Sequence, residues 1–121
     1  MPRSIIVDID GTLLNGDRGI QKTIDYVNEK AKEYKIFIIT GRLESERQKT
    51  VKALKDNNVS YDKLIMNPYS TAESIDYKKA AALKLKMMKY HLIYAIDNNE
   101  KARAAYSSLG IKAIKIGRAH V

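Results

Sequence analysis

The chain has 121 residues, with 22 Lys and Arg against 14 Asp and Glu, which gives a formal net charge of +8, and it contains no Cys. A chain of this length can bury one hydrophobic core, and the lack of cysteine excludes disulfide frameworks, cysteine-based zinc sites and thiol catalysis. Its apolar runs are far shorter than the roughly 20 residues that span a bilayer, so we expect one cytoplasmic domain over residues 1–121 with no membrane segment or signal peptide.

Strand patterns and helix patterns alternate along the chain. The predicted strands lie at residues 4–7, 35–39, 61–66, 92–96 and 111–116, the last as an edge strand. The predicted helices lie at residues 20–34, 44–56, from the capping residue Ser74 onward, and 100–109. We expect Val51 and Leu54 of the second helix to face the core. The third helix carries the apolar residues Ala81, Leu85 and Met88 among lysines.

Strands separated by helices of ten or more residues favour parallel pairing, with helices on both faces of the sheet. The predicted fold is therefore a three-layer, Rossmann-like α/β fold with a mainly parallel sheet of about five strands. Ligands of such sheets bind beyond the carboxyl ends of the strands. The residues at those ends are Asp8, Thr40, Asn67 and Asp97.

The segment that follows the first strand carries two acidic residues in the string Asp8-Ile9-Asp10-Gly11-Thr12. An Asx-type turn explains one Asp beside a glycine but not a pair at the end of an apolar strand. Paired carboxylates at such a strand end are candidates for acid/base, nucleophilic or metal chemistry.

At these residues the chain resembles the haloacid dehalogenase superfamily of phosphohydrolases, over essentially its whole length. The similarity rests on four motifs in order: Asp8-x-Asp10-Gly-Thr, Thr40-Gly-Arg42, a lysine at the start of the third helix, and Ile96-Asp97-Asn98. The resemblance implies a phosphatase in which Asp8 is the nucleophile that becomes an aspartyl-phosphate and Asp10 is the general acid and base.

The resemblance also implies a Mg²⁺ site and a phosphate site. Mg²⁺ would be held by the carboxylates of Asp8 and Asp97 and by the backbone carbonyl of Asp10, and Lys78 would neutralise the carboxylate and phosphate charge. The adjacent Lys79 is the alternative for that lysine.

Phosphate oxygens would be bound at a helix N-terminus by the Thr40 hydroxyl and the neighbouring backbone N–H groups, including that of Gly41. A simple helix cap is the other interpretation of Thr40. Arg42 and Arg47 would also bind phosphate oxygens. The alternative for Arg47 is an ion pair with Glu44 or Glu46.

The motif at Asp97 departs from the usual family pattern. A second acidic residue normally follows it at once or lies four or five positions later, and this chain has Asn98, Lys101 and Ala102 there. We expect weaker attraction for Mg²⁺, with Asn98 positioned to order a metal-bound water. The residues from Asp97 to Glu100 also have the form of a helix capping box.

The spacing of the motifs leaves no room for a cap domain, so the site is expected to be open. One branch, the phosphatase domain of phage polynucleotide kinase, is similar at several further positions: Arg47, Thr50, Tyr61-Asp62 and Tyr77-Lys78. Asn67 departs from that branch, which tends to carry arginine there. The resemblance thus implies a phosphomonoesterase acting on nucleic-acid 3′ ends or nucleotides.

Two alternatives stay open. One is a phosphatase of small metabolites, such as sugar phosphates, whose site is closed by oligomerisation. The other is a nucleic-acid-binding module with weakened chemistry. The third helix is basic, and Tyr69, Tyr77 and Tyr90 either offer stacking surfaces for bases or lie half in the core.

Overall fold

The structure, a computed structural model, describes residues 3–116. Its strands are β1 (Arg3–Val7), β2 (Leu14–Asn15), β3 (Arg18–Gly19), β4 (Lys35–Leu43), β5 (Lys63–Asn67), β6 (His91–Ile96) and β7 (Ala113–Ile114). Its α-helices are α1 (Gln21–Lys30), α2 (Arg47–Asp56), α3 (Ser74–Met87) and α4 (Glu100–Ser108). Short 3₁₀ turns at Glu44–Glu46 and Thr71–Glu73 lead into α2 and α3.

Five strands form one parallel sheet in the order β5-β4-β1-β6-β7. The central strand β1 pairs with β4 on one side and β6 on the other, and Val7 lies opposite both Ile38 and Ile96. The carboxyl ends of these three strands therefore meet at one edge of the sheet. The predicted α/β fold with a parallel five-stranded sheet is confirmed.

Alternating side chains on β1 and β4 explain the three layers. Ile5 and Val7 point to one face of the sheet and Ile6 to the other, because successive strand residues face opposite sides. The first face packs against α1 and α2 through Ile24 and Leu54. The second face packs against α3 and α4, whose contributing residues are Ala81, Ala82, Leu85, Ala102 and Tyr106. Both faces are covered, as a parallel sheet requires.

Several predicted boundaries shift in the structure. Helix α1 ends at Lys30 instead of Tyr34, because the chain leaves it through a turn in which Tyr34 N–H donates to the Lys30 carbonyl. Strand β4 runs on to Leu43, and a register irregularity follows Ile39. The edge strand β7 has two residues, Ala113–Ile114, instead of six. Among the residues that the structure describes, no helix has the length and apolarity of a membrane span.

The prediction that Val51 faces the core was wrong. Val51 is 36% exposed, because α2 buries Thr50, Ala53 and Leu54 and Val51 lies at the margin of that face. Met88 is 45% exposed, because α3 ends at Met87 and the left-handed Lys89, with φ of 73°, turns the chain away.

A small hairpin between β1 and α1 was not predicted. Strands β2 and β3 are antiparallel, and the turn between them contains Gly16 at φ of 65°, a conformation that favours glycine. Strands of two residues carry no periodicity, so the sequence pattern could not reveal them. The hairpin begins at Leu14, four residues after Asp10.

Candidate active site

Asp8 and Asp97 lie side by side at the carboxyl edge of the sheet. Each follows the last residue of its strand, Val7 in β1 and Ile96 in β6, and those two residues are register partners. Asp8 N–H donates to the Ile96 carbonyl at 2.9 Å. Both carboxylates are buried. The structure thus brings together two acidic residues that are far apart in the sequence.

Lys78 reaches both carboxylates from helix α3. Its Nζ lies 3.0 Å from Asp8 Oδ1 and 2.7 Å from Asp97 Oδ2, and the side chain is buried. Lys79 is exposed on the same helix. Of the two lysines considered from the sequence, Lys78 is therefore the one that the structure places with the two aspartates.

Burial dominates the electrostatics of this cluster. Loss of solvent raises the pKa of Asp8 to about 7, the positive charge of Lys78 opposes that rise, and the negative charge of Asp97 adds to it. For Lys78, burial lowers the pKa, but the two carboxylates outweigh burial and hold that pKa above its ordinary value. With all three groups ionised, the cluster carries one excess negative charge.

Hydrogen bonds from two further residues orient the carboxylates. Thr12 Oγ1 donates to Asp8 Oδ2 at 3.1 Å and accepts from Asn98 N–H at 3.2 Å. Asn99 N–H donates to Asp97 Oδ1 at 2.9 Å. Sequence reasoning assigned no role to Thr12 or Asn99, although Thr12 is part of the Asp-x-Asp-Gly-Thr string.

The capping interpretation of Asp97 to Glu100 needs a correction. Helix α4 is capped by Asn99, whose side chain accepts from Ala102 N–H at 3.0 Å. Asp97 precedes the cap and bonds to Lys78 instead. Asn98 is exposed and lines the same cleft as Asp8. The acidic residue that ends β6 is therefore not used to cap the helix.

Asp10 forms an ion pair with Arg42. Arg42 Nε lies 3.2 Å and 3.1 Å from the two oxygens of Asp10, and Nη2 lies 2.9 Å from Oδ1. The same guanidinium donates to Thr50 Oγ1 at 3.2 Å and to the Gly16 carbonyl at 2.7 Å. Arg42 thus connects Asp10, helix α2 and the β2–β3 hairpin.

Thr40 is not at a helix N-terminus, and this expectation was wrong. It lies inside β4, is fully buried, and its Oγ1 accepts from Arg42 N–H at 3.0 Å. Helix α2 begins at Arg47, after a 3₁₀ turn, so Thr40 does not cap it either. Gly41, the next residue, lines the cleft.

Gly41 lies close to the start of α3. A Cβ built on Gly41 would stand 2.6 Å from Ser74 Cβ, closer than side-chain carbons approach each other. Ser74 begins the helix that carries Lys78 one turn later. The absence of a side chain at Gly41 therefore lets α3 approach β4.

Arg47 and Asn67 make structural contacts. Arg47 forms an ion pair with Glu44, and its Nη2 donates to the Leu64 carbonyl at 3.1 Å. Asn67, which is fully buried, donates to the Ser70 carbonyl at 2.7 Å and accepts from Tyr69 N–H at 2.9 Å. The structure places neither residue in the lining of the cleft described next.

An open cleft of about 740 Å³ lies over Asp8 and Lys78. Its lining mixes acidic, basic and amide side chains: Asp8, Asp10, Asp17, Arg42, Glu46, Lys49, Lys78, Asn98 and Asn99, with Gly16, Gly41, Ala53, Thr71, Ser74 and Ile75. Because the lining contains both positively and negatively charged side chains, the cleft suits an anionic ligand that is bound together with a cation.

The donor set suits a hard cation. Carboxylate oxygens are ligands that Mg²⁺ prefers, and Mg²⁺ keeps several waters when few protein ligands are available. Within residues 3–116 no group of three or more His, Asp or Glu side chains is arranged to hold a metal ion. The two buried carboxylates with their excess negative charge therefore fit a Mg²⁺ ion that is only partly held by side chains.

Comparison with known proteins identifies the family. The sequence pattern of the HAD superfamily, subfamily IIIB (Acid phosphatase), matches residues 15–115. The chain belongs to this superfamily of haloacid dehalogenase-like proteins, and it is a phosphatase. The resemblance predicted from the four motifs is confirmed. No curated protein sequence matches the chain significantly.

Solved structures share the fold. A chain in a structure of the Pnkp1/Rnl/Hen1 RNA repair complex has a TM-score of 0.84 and 23% identity, and the match covers 96% of this chain and 42% of that one. A chain in a second structure of that complex has a TM-score of 0.83 and 23% identity, and the match covers 100% of this chain and 48% of that one. A haloacid dehalogenase-like hydrolase of Streptococcus pneumoniae has a TM-score of 0.69 and 13% identity, and the match covers 91% of this chain and 82% of that one. The chain spans less than half the length of the repair-complex chains.

Proposed function

We propose that this phosphatase is a Mg²⁺-dependent phosphomonoesterase in which Asp8 attacks the substrate phosphorus, and that its substrates are phosphorylated nucleic-acid 3′ ends or nucleotides. The observation that carries the proposal is the buried Asp8–Lys78–Asp97 cluster at the floor of an open cleft. A carboxylate can act as a nucleophile toward phosphorus only where cations offset its charge and that of the phosphate.

The excess negative charge of the cluster supports a cation as the cofactor. The carboxylates of Asp8 and Asp97 and the backbone carbonyl of Asp10 would hold Mg²⁺. When bound, Mg²⁺ supplies the positive charge that lets a carboxylate approach a phosphate dianion. It also favours the ionised form of Asp8, which burial alone disfavours at neutral pH.

The reaction takes place in two displacements. An oxygen of Asp8 forms a bond to phosphorus, the bond between phosphorus and the ester oxygen breaks, and Asp10 gives a proton to that leaving oxygen. A water then attacks the phosphorus of the aspartyl-phosphate while Asp10 takes one of its protons. The second step releases inorganic phosphate and restores the Asp8 carboxylate.

Arg42 connects substrate binding to the acid step. In the structure Asp10 accepts N–H bonds from Arg42 on both oxygens, and a carboxyl with a proton on one oxygen cannot keep all of them. Arg42 is a planar two-pronged donor that also matches phosphate oxygens. We infer that an incoming phosphate takes over Arg42 N–H groups, and that Asp10, freed from the ion pair, takes up a proton from water and then gives it to the leaving oxygen.

The open cleft supports a large substrate. No cap segment covers the site within the described part of the chain, so the end of a polymer can reach Asp8 without any opening step. The charge of +8 favours an anionic partner. The fold shared with a chain of an RNA repair complex supports a nucleic-acid end over a sugar phosphate.

Phosphate release from a substrate panel tests the proposal. The panel contains a 3′-phosphorylated oligonucleotide, a 5′-phosphorylated one, nucleoside monophosphates and sugar phosphates, each with Mg²⁺ and with EDTA. We expect Mg²⁺-dependent release with a preference for the 3′ end, and loss of all release in Asp8→Asn. Asp56→Asn, which changes an exposed carboxylate at the end of α2, is the control.

A trapping experiment tests the intermediate. Rapid acid quenching followed by mass spectrometry is expected to find a phosphoryl group on the peptide that contains Asp8. Activity that persists in Asp8→Asn contradicts the nucleophilic role. Activity confined to sugar phosphates contradicts the proposed substrate class.

A further inference from the structure

A second groove, of about 320 Å³, lies between β5 and the face of α3 that carries Tyr77, Ala81 and Lys84. Its floor is apolar, with Ala81 and Leu85 nearly buried. Its rim carries two lysines, Lys63 and Lys84. The whole lining consists of Lys63, Ile65, Tyr69, Tyr77, Ala80, Ala81, Lys84, Leu85 and Met88, and none of these residues is acidic.

Two tyrosines shape one end of the groove. The rings of Tyr69 and Tyr77 meet edge to face, with centroids 6.0 Å apart and planes at 76°. Tyr69 is 66% exposed, so most of its ring is open to a ligand. Tyr90, the third tyrosine near this helix, packs edge to face on Phe37 at 4.8 Å and does not line the groove. The structure therefore leaves Tyr69 and Tyr77 as the aromatic surfaces of the groove.

The groove adjoins the active-site cleft through α3. Ser74, Ile75 and Lys78 face the cleft, whereas Tyr77 and Lys84 face the groove. Tyr77 and Lys78 are consecutive residues, and successive side chains of an α-helix are about 100° apart. A chain-like ligand whose end reaches Asp8 therefore has the groove as the adjoining surface.

The chemistry of the groove selects its ligand. An apolar floor with an open aromatic ring accepts a flat, uncharged ring system, and lysines on the rim accept flanking anionic groups. A nucleobase with its phosphates has both properties, and stacking on aromatic side chains tolerates any base. We infer that the groove binds a base next to the terminal phosphate of a single-stranded nucleic acid. This inference deepens the proposed function and rests on it.

Direct binding tests the groove without catalysis. The probe is a fluorescent, unphosphorylated oligothymidylate of about six nucleotides, bound in EDTA and followed by anisotropy. We expect Tyr69→Ala to weaken binding about 5- to 100-fold and Tyr69→Trp to preserve it. Lys84→Ala should weaken binding more than Lys55→Ala, which removes the same charge from an exposed position on α2.

Equal affinities of Tyr69→Ala and the wild-type protein overturn the inference. Equal losses in Lys84→Ala and Lys55→Ala do the same, because they show attraction by overall charge alone. A wild-type protein that does not bind the probe also overturns it, and the groove is then free for another partner, such as an apolar protein segment. Thermal unfolding checks that each exposed substitution leaves the fold intact.

Kinetics separate this inference from the proposed function. The quantity measured is the ratio of kcat/KM for a 3′-phosphorylated oligonucleotide to that for phenyl phosphate. We expect Tyr69→Ala to reduce this ratio about 5- to 100-fold. An unchanged ratio in an active enzyme contradicts the inference that the groove binds a base, but it leaves the proposed function intact. Tyr69-dependent binding without phosphate release supports the groove and contradicts the proposed function.

Discussion

Arg42 holds the carboxylate of Asp10 through two of its nitrogens, Nε at 3.1 and 3.2 Å and Nη2 at 2.9 Å. The two residues belong to different elements: Asp10 lies in the loop after β1, and Arg42 lies near the end of β4. Because Arg42 also donates to Thr50 Oγ1 and to the Gly16 carbonyl, this one side chain connects the hairpin, helix α2 and Asp10, the proposed general acid.

Replacing this guanidinium with an ammonium should weaken substrate use. We expect Arg42→Lys to lower kcat/KM for the 3′-phosphorylated oligonucleotide about 10- to 100-fold, because lysine cannot make the paired N–H contacts to Asp10 or to phosphate. Steady-state kinetics measure the effect. Arg18→Lys, on the exposed strand β3, is the matched control. Equal kinetics of the two variants would show that the bidentate contact has no role in the reaction.

Asp8→Asn should produce a protein that is inactive yet more stable at neutral pH. Burial raises the pKa of Asp8 from 3.8 to about 7, so the folded protein binds a proton at Asp8 that the unfolded chain has lost. The contribution of Asp8 to stability is therefore fully present below about pH 4 and is lost as the pH rises to about 7. The free energy of unfolding of the wild type, relative to Asp8→Asn, should fall by about 1 kcal/mol per pH unit at the steepest.

Denaturant unfolding in EDTA at several pH values between 4 and 8 measures this difference. The comparison with Asp8→Asn cancels the titration of the other carboxylates. Asp56→Asn, at an exposed position, should follow the wild-type profile. A difference that does not vary with pH would mean that Asp8 does not titrate in this range in the folded protein.

Lys78→Met should destabilise the metal-free protein strongly. The substitution keeps the length of the side chain but leaves two buried carboxylates without their cation, and loss of one partner from a buried ion pair costs about 3–5 kcal/mol. Mg²⁺ should restore part of the loss, because an ion that binds only the folded state stabilises it.

Lys79→Met, on the next residue of α3, is a closely matched control. Lys79 is exposed, so its substitution should change the free energy of unfolding by less than about 0.5 kcal/mol. Denaturant unfolding of both variants, each with Mg²⁺ and with EDTA, gives the four free energies of unfolding that the comparison needs. Equal losses in the two variants would contradict the buried cluster.

Gly41→Ala should displace helix α3. The new Cβ would stand 2.6 Å from Ser74 Cβ, and overpacking of this kind costs about 1–3 kcal/mol. Because α3 carries Lys78, kcat should fall as well. Adding Ser74→Gly removes the clashing carbon, so the double variant should recover stability and activity relative to Gly41→Ala. Failure of this rescue would show that the contact with Ser74 is not what requires glycine at position 41.

The sequence predicted the parts of the fold that depend on strong periodicity. The apolar runs of β1, β4 and β6 end at Asp8, Thr40 and Asp97, and their parallel pairing brings those ends together. The two-residue strands of the hairpin are too short to show such a pattern, and the alternation over residues 111–116 predicted the edge strand β7 but not its two-residue extent. The extent of these short strands depends on backbone hydrogen bonds, such as that from Asp97 N–H to the Ile114 carbonyl. Such bonds cannot be predicted from residue types.

Side-chain positions depend on details that the sequence does not carry. Lys78 and Lys79 are equivalent by residue type, and the helix register decides which one is buried. Thr40 was expected at a helix start because β4 could not be seen to continue to Leu43. The contact of Asp10 with Arg42 joins residues 32 positions apart, and spacing alone did not reveal it.

Helix α3 has one side turned to the buried aspartates and another turned to the aromatic groove. Substitutions at positions 69, 80 and 84 can change the outer surface without altering any atom that bonds to Lys78. The chain is thus suited to laboratory evolution, in which libraries restricted to those positions would vary the surface of the groove while the Asp8–Lys78–Asp97 cluster stays constant.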